Sequence, residues 1–262
     1  MDDRPIGVFD SGLGGLTTVR ELCRLLPEED IVYFGDTGRV PYGSRSRETI
    51  VKYARQDVAF LRTFDLKTIV IACGTVSTTA LDVLAAENPI PGLGVVAPAA
   101  RAAARATRSG SIGLIGTQAS IRSGAYERLI RAENPAARVL AQPCPLFVPL
   151  VENGRFRPGD VVIETVAAEY LAPLKEAGVD TLVLGCTHYP LLEKVIGAYM
   201  GPDVRLINSG AEGARAAADC LRERDALAGP GRGSCRCFVS DRQEDFSRLA
   251  STFLGWDVAQ AV

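Results

Sequence analysis

The sequence predicts an α/β fold: two pseudo-symmetric α/β domains with mostly parallel sheets and an active site in the cleft between them. Three observations predict it. Short β-branched runs alternate with longer amphipathic stretches along the whole chain. The segment TIVIACGTVS (68–77) is echoed by TLVLGCTHYP (181–190), so that Cys186 stands 113 residues after Cys73. A second echo links IGVFDSGLGG (6–15) to IGLIGTQASI (112–121), at the similar offset of 106 residues.

The elements follow in order. A first strand, IGVF (6–9), leads through a Gly-rich loop into the amphipathic helix LTTVRELCRLL (16–26). Strands IVYFG (31–35), TIVIA (68–72) and LGVVA (93–97) follow, and the Ala-rich APAARAAARAT (97–107) is where the chain crosses into the second half. There the strands are SIGLIG (111–116), RVLAQ (138–142), TLVLG (181–185) and VRLIN (204–208). The helix that precedes TLVLG carries its own punctuation, with Asp160 as N-cap after Pro158 and Gly159, and Gly178 as C-cap. The chain crosses back near INSG (207–210), continues through the helical GARAAADCLRER and the turn-rich AGPGRG (228–233), and ends in a strand, RCFVS (236–240). The expected domains are 1–97 plus 208–262, and 98–207. Strands alternating with helices in this way make parallel sheets covered on both faces.

Composition narrows the function. With 262 residues, 47% of them hydrophobic, the chain can bury a large core. A formal charge of −2 offers no basic stripe, and no run interleaves aromatics with Arg or Lys, so nucleic acid is not expected as a main partner. The N-terminal MDDRPIGVFDSG has no basic leader, and no 18-residue apolar span follows, so the expectation is a cytoplasmic protein with no membrane partner. Seven cysteines, an odd number without C-x-x-C spacing, point to reduced thiols. Cys23 and Cys220 fall within helical apolar patterns and read as core. Cys235 and Cys237 form a C-x-C with neither a second pair nor a nearby histidine, so no metal is expected there. The glycines of DSGLGGL miss the dinucleotide pattern G-x-G-x-x-G because Thr17 stands at its last position.

In open parallel sheets ligands bind beyond the carboxyl ends of the strands, where Asp10, Cys73, Thr117 and Cys186 all fall. A thiol, with a reference pKa of about 8.5, can take or give a proton near neutrality if a neighbour tunes it. His188, the single histidine of the chain, stands two places after Cys186, and Asp10 could serve Cys73. Either cysteine alone could be a small buried hydrophobe, and His188 a structural side chain; matching positions in two repeats favour chemistry. Two thiols on opposite walls of a cleft suit removal of a proton from one face of a carbon and its return to the other. With each sulfur roughly 3 to 3.5 Å from that carbon, the two are about 7 Å apart, beyond disulfide length. Such a site inverts a stereocentre and is expected to need no cofactor and no metal.

Together these residues resemble the glutamate racemases, within the wider family of cofactor-independent aspartate and glutamate racemases. The resemblance rests on IGVFDSGLGGLTTV (6–19), DTGRVPYGSRS (36–46), IACGTVSTTALD (71–82), IGLIGTQASI (112–121), PLFVPLVENG (145–154) and LVLGCTHYPLL (182–192), in order along nearly the whole chain. It implies interconversion of L- and D-glutamate by Cys73 and Cys186, with Asp10 and His188 assisting and Glu152 behind His188, and a role in supplying D-glutamate for peptidoglycan. Substrate contacts implied by the resemblance are Asp10, Ser11, Tyr42, Gly43, Gly74, Thr75, Thr117, Thr187 and His188. It also implies a small-molecule partner, glutamate, and a homodimer; racemisation of aspartate, or amino-acid binding without chemistry, are the alternatives. Two positions depart from the family. Gly74 stands where Asn is common, and Gly74→Asn is expected to be tolerated and to act on KM; Asn208 stands where Asp is common.

Overall fold

The computed structural model describes residues 1–241 and 246–256; the remainder of the expected C-terminal segment, 242–245 and 257–262, lies outside the described residues. Among the described residues nine strands form: β1 (Ile6–Asp10), β2 (Ile31–Gly35), β3 (Thr68–Ile71), β4 (Gly92–Gly94), β5 (Ser111–Gly116), β6 (Arg138–Pro143), β7 (Thr181–Leu184), β8 (Arg205–Asn208) and β9 (Cys235–Val239). They assemble into two wholly parallel sheets of order β4-β3-β1-β2-β9 and β6-β5-β7-β8. Reading β5 to β8 as repeats of β1 to β4 makes the two orders the same. The duplication seen in the sequence is therefore a duplication of topology, with β9 returning to pair with β2.

Parallel strands covered on both faces need continuous apolar runs rather than alternation, and β1, β2, β3 and β7 are buried along their whole length. The expected helix before β7 forms as Val161–Glu176. Asp160 caps it by accepting from Val162 N–H at 3.0 Å, and Gly178 takes a left-handed φ of 65° just past its end. Most strand ends fall within a residue or two of the sequence reading, and one differs in kind. LGVVA was expected to be strand through residue 97, but β4 stops at Gly94 and a helix runs Val96–Ala106. Its apolar stripe (Val96, Ala99, Ala100, Ala103, Ala104) recurs every three to four residues and is buried, so packing outweighs the β-propensity of the two valines.

At the end of the first sheet where β1 and β3 begin, Lys67 is fully buried. Its ammonium lies 2.5 Å from Glu29 and donates to the carbonyls of Asp2 (2.7 Å) and Ala226 (2.9 Å). This tie joins four chain segments, at Asp2, Glu29, Lys67 and Ala226, on the side away from the strand tips.

Candidate active site

Within each sheet, the first strand of the repeat is flanked by the second on one side and the third on the other. The winding direction therefore reverses between β1 and β3, and again between β5 and β7, and a reversal of this kind opens a crevice at the strands' carboxyl ends. Asp10 and Cys73 stand at the first reversal, Thr117 and Cys186 at the second. Both crevices open into one cavity of about 330 Å³, at the small end of the range for small-molecule sites, about 300–1,000 Å³. The first half lines it with Ser11, Tyr42, Gly43, Cys73, Gly74 and Thr75. The second contributes Thr117, Cys144, Glu152, Cys186, Thr187 and His188. Asp10 lies beneath the surface of the cavity, fully buried.

The two thiols sit in different surroundings. Cys73 precedes the helix Gly74–Thr79, and its Sγ donates to Ser11 Oγ at 3.3 Å. Burial, then the nearby negative charge of Asp10, pushes this thiol up to about 12, while hydrogen bonding with Ser11 and with backbone N–H groups acts the other way. Asp10 accepts from Gly15 N–H at 3.0 Å and from the Thr187 hydroxyl at 3.4 Å. Its carboxyl is raised by burial and restrained by the charge of His188 and the N–H groups around it.

On the other wall, Cys186 Sγ lies 3.8 Å from His188 Nδ1, and His188 Nε2 lies 3.0 Å from Glu152 Oε1 at the end of the helix Phe147–Glu152. The imidazole also packs perpendicular to the Phe253 ring, with ring centres 5.4 Å apart. Burial disfavours the charged ring, but its hydrogen bonds to Cys186 and Glu152 outweigh that and raise His188 to about 10. A raised histidine stabilises the fold fully below its ordinary 6.5 and loses that contribution as pH climbs through about 10. Because the chain has one histidine, its ring signal in a carbon–proton NMR titration is unambiguous. We expect a midpoint near 10, and a fall of about one to three units in Glu152→Gln, the effect of removing a close opposite charge. A midpoint near 6.5 in the native chain would refute the arrangement.

Glycines do more here than turn the chain. A Cβ on Gly14 would meet Thr187 Oγ1 and, at 2.5 Å, His188 Nδ1, so the DSGLGG loop is bare where the other half lies on it. Thr17 reinforces the same contact by donating to the Thr187 carbonyl at 2.9 Å. A Cβ on Gly43 would come 2.7 Å from Thr117 Cβ, and the hydroxyls of Thr75 and Thr117 meet across the cleft at 2.9 Å.

Two expectations change, at Gly74 and at Tyr42. Gly74 offers no open space for the missing amide: a Cβ there would lie 2.5 Å from the Gly185 carbonyl oxygen, in backbone that cannot swing aside. Gly74→Asn therefore forces apart the two strand tips that carry Cys73 and Cys186, rather than simply adding a contact. The Tyr42 hydroxyl does not enter the cavity, because it is bonded to Asp36 and Asp57. Asn208 does not line the cavity either. It caps the helix Ser209–Glu223 by accepting from Ala211 N–H at 3.1 Å, and its amide donates to Glu193 at 3.2 Å.

Sequence reasoning missed Cys144, whose PCPLF context reads as core, and the Asp36, Arg39 and Asp57 cluster behind Tyr42. A signal for Asp57 existed. In the helix Arg47–Leu61 it falls on the buried stripe with Ile50, Val51, Ala54, Val58 and Leu61, the one charged side chain there.

The chain matches the family model described as Asp/Glu/Hydantoin racemase over residues 9–217, a span that holds the cavity. It is 48% identical over 256 residues to the glutamate racemase of Geobacter metallireducens, covering 97% of this chain and 94% of that one. Its fold superposes on a glutamate racemase isoform of Bacillus anthracis with a TM-score of 0.94 at 38% identity, covering 100% of this chain and 98% of the other. The glutamate racemase of Francisella tularensis, solved with D-glutamate, gives 0.92 at 37% identity with the same coverage. The duplicated parallel fold, the cavity at its strand tips and these matches lead to one conclusion: the chain belongs to the Asp/Glu/Hydantoin racemase family and is an amino-acid racemase.

Proposed function

We propose that this enzyme interconverts L- and D-glutamate without a cofactor, using Cys73 and Cys186 as the two acid/base groups, and supplies D-glutamate for peptidoglycan in the cytoplasm. The observation that carries the reading is that one small cavity is lined by the buried thiols of both Cys73 and Cys186, which stand at the two separate strand-tip crevices. The α-proton leaves to one sulfur and a proton arrives from the other on the opposite face, so the centre inverts and the two sulfurs exchange protonation states. Cys73, pushed up by burial and by Asp10, rests as the thiol and is the ready donor. Cys186 faces a positively charged His188, which Glu152 orients. Asp10 and His188 reset the pair between turnovers. Donors around a cavity poor in water stabilise the anion formed at the α-carbon.

Ser11, Gly43, Thr75, Thr117 and Thr187, with the backbone at Tyr42 and Gly74, are proposed to hold the substrate's two carboxylates and its amino group. The proposed domains are 1–97 with 208–262, and 98–207, the cavity lying between them, and the proposed assembly is a homodimer. Circular dichroism of L-glutamate and of L-aspartate, followed in time with the purified protein, tests the reading. Loss of the glutamate signal to zero supports it, loss of the aspartate signal alone reassigns the substrate, and no change in either favours a binding protein.

A further inference from the structure

One buried cluster takes no part in these proton transfers. Asp36, just after β2, and Asp57, inside the helix Arg47–Leu61, are both fully buried and both turn toward Tyr42. The Tyr42 hydroxyl is bonded to Asp36 Oδ2 and lies 3.0 Å from Asp57 Oδ2. Arg39 spans the same two carboxyls, with Nε 2.6 Å from Asp36 Oδ2 and Nη2 2.9 Å from Asp57 Oδ1, and its guanidinium lies 4.4 Å over the Tyr53 ring. Ser240, just past β9, donates to Asp36 Oδ1 at 2.6 Å. Tyr42 opens the short turn Tyr42–Ser44, which lines the cavity and brings Gly43 against Thr117 of the other half.

We propose that Asp57 is a positioning residue for substrate binding, holding Tyr42 and, through it, the 40–44 wall of the cavity in place against Thr117. The inference rests on the glutamate racemase reading of the site. Hydrogen counting supports it. A tyrosine hydroxyl has one proton, so it cannot donate to two ionised carboxylates at once. With its own proton, Asp57 donates to the Tyr42 oxygen, Tyr42 donates to Asp36, and Arg39 balances the single remaining negative charge. Burial first, then the charge of Asp36, lifts the Asp57 carboxyl to about 8, against the pull of Tyr42 and Arg39 and with a further push from Asp10. Those four groups, Asp36, Arg39, Tyr42 and Asp10, are the charged and titratable neighbours that set its proton. Above that pH the donor chain breaks and the wall loosens.

Two variants separate the possibilities. Asp57→Asn keeps a donor for Tyr42 and an acceptor for Arg39, whereas Asp57→Leu removes both. KM for L-glutamate should rise about tenfold in Asp57→Leu with a smaller change in kcat, the size expected for a lost buried hydrogen bond. In Asp57→Asn it should stay within about twofold of the native value at neutral pH and lose the native rise above about pH 8, since the amide reproduces the protonated pairing. A folded Asp57→Leu enzyme with native KM overturns the proposal, as does an Asp57→Asn enzyme as impaired as Asp57→Leu. Infrared spectroscopy without substrate is independent of turnover: the native protein should show a protonated carboxyl band at neutral pH that Asp57→Asn lacks. Absence of that band overturns the proposal even where Asp57→Leu fails to fold, and failure of the native protein to turn over glutamate would count against the substrate assignment instead.

Discussion

Serine in place of Cys73 or Cys186 is expected to abolish racemisation in both directions, lowering kcat by about 10³-fold or more, toward the upper end of what one positioned acid/base group supplies. The replacement is nearly isosteric, and both thiols are buried at strand tips, so the fold should persist. Serine is a far weaker acid than cysteine. At neutral pH it neither accepts the α-proton nor matches the remaining thiol. Each single variant still keeps a base on one face of the α-carbon. Exchange of the α-proton with deuterated solvent should therefore survive slowly from one enantiomer only, and from opposite enantiomers in the two variants. The native enzyme should place solvent deuterium mainly in the inverted product. Proton NMR of the α-position in deuterated buffer, beside a far-ultraviolet spectrum to certify folding, reads all of this. A folded single variant racemising at near native rate would sink the two-thiol mechanism.

The largest expected effect on stability lies at the opposite end of the same strands. Lys67→Met removes the ammonium that faces Glu29 at 2.5 Å and satisfies the carbonyls of Asp2 and Ala226, leaving a carboxylate and two carbonyls buried without that partner. Breaking a buried ion pair from one side costs about 3–5 kcal/mol, which in a chain of this size lowers Tm by about 10 °C. Adding Glu29→Leu should recover much of the loss, because the penalty comes from an unpaired buried charge rather than from lost volume. Urea titration and thermal melts of the single and double variants measure it. Equal destabilisation in both would show that packing around Lys67, not its charge, holds the four segments together. The kcat of folded protein should change little, since the tie lies away from the cavity.

Strand positions, the repeat, the helix cap at Asp160 and the two thiols at matched strand tips were legible in the sequence. They depend on local chemistry: β-branched runs buried on both faces, a capping carboxylate, a glycine that accepts positive φ. The pairing of Cys186 with His188 was legible for the same reason, with only Thr187 between them. What lay further apart in sequence was decided by the tertiary structure. Asp57 stands 15 residues from Tyr42; its place on the apolar stripe of its helix marks it as buried, but the hydroxyl and carboxylate it meets there are set by packing. Gly14 and Gly74 read as loop glycines, yet each is bare because the other half of the molecule comes to rest on it. Valines 95 and 96 read as strand, and burial of the alanine stripe that follows them makes the second the first residue of a helix. Periodicity and capping act over a few residues and leave their mark in the local sequence. Contact between two halves is a property of surfaces brought together by folding, and no stretch of the chain records it alone.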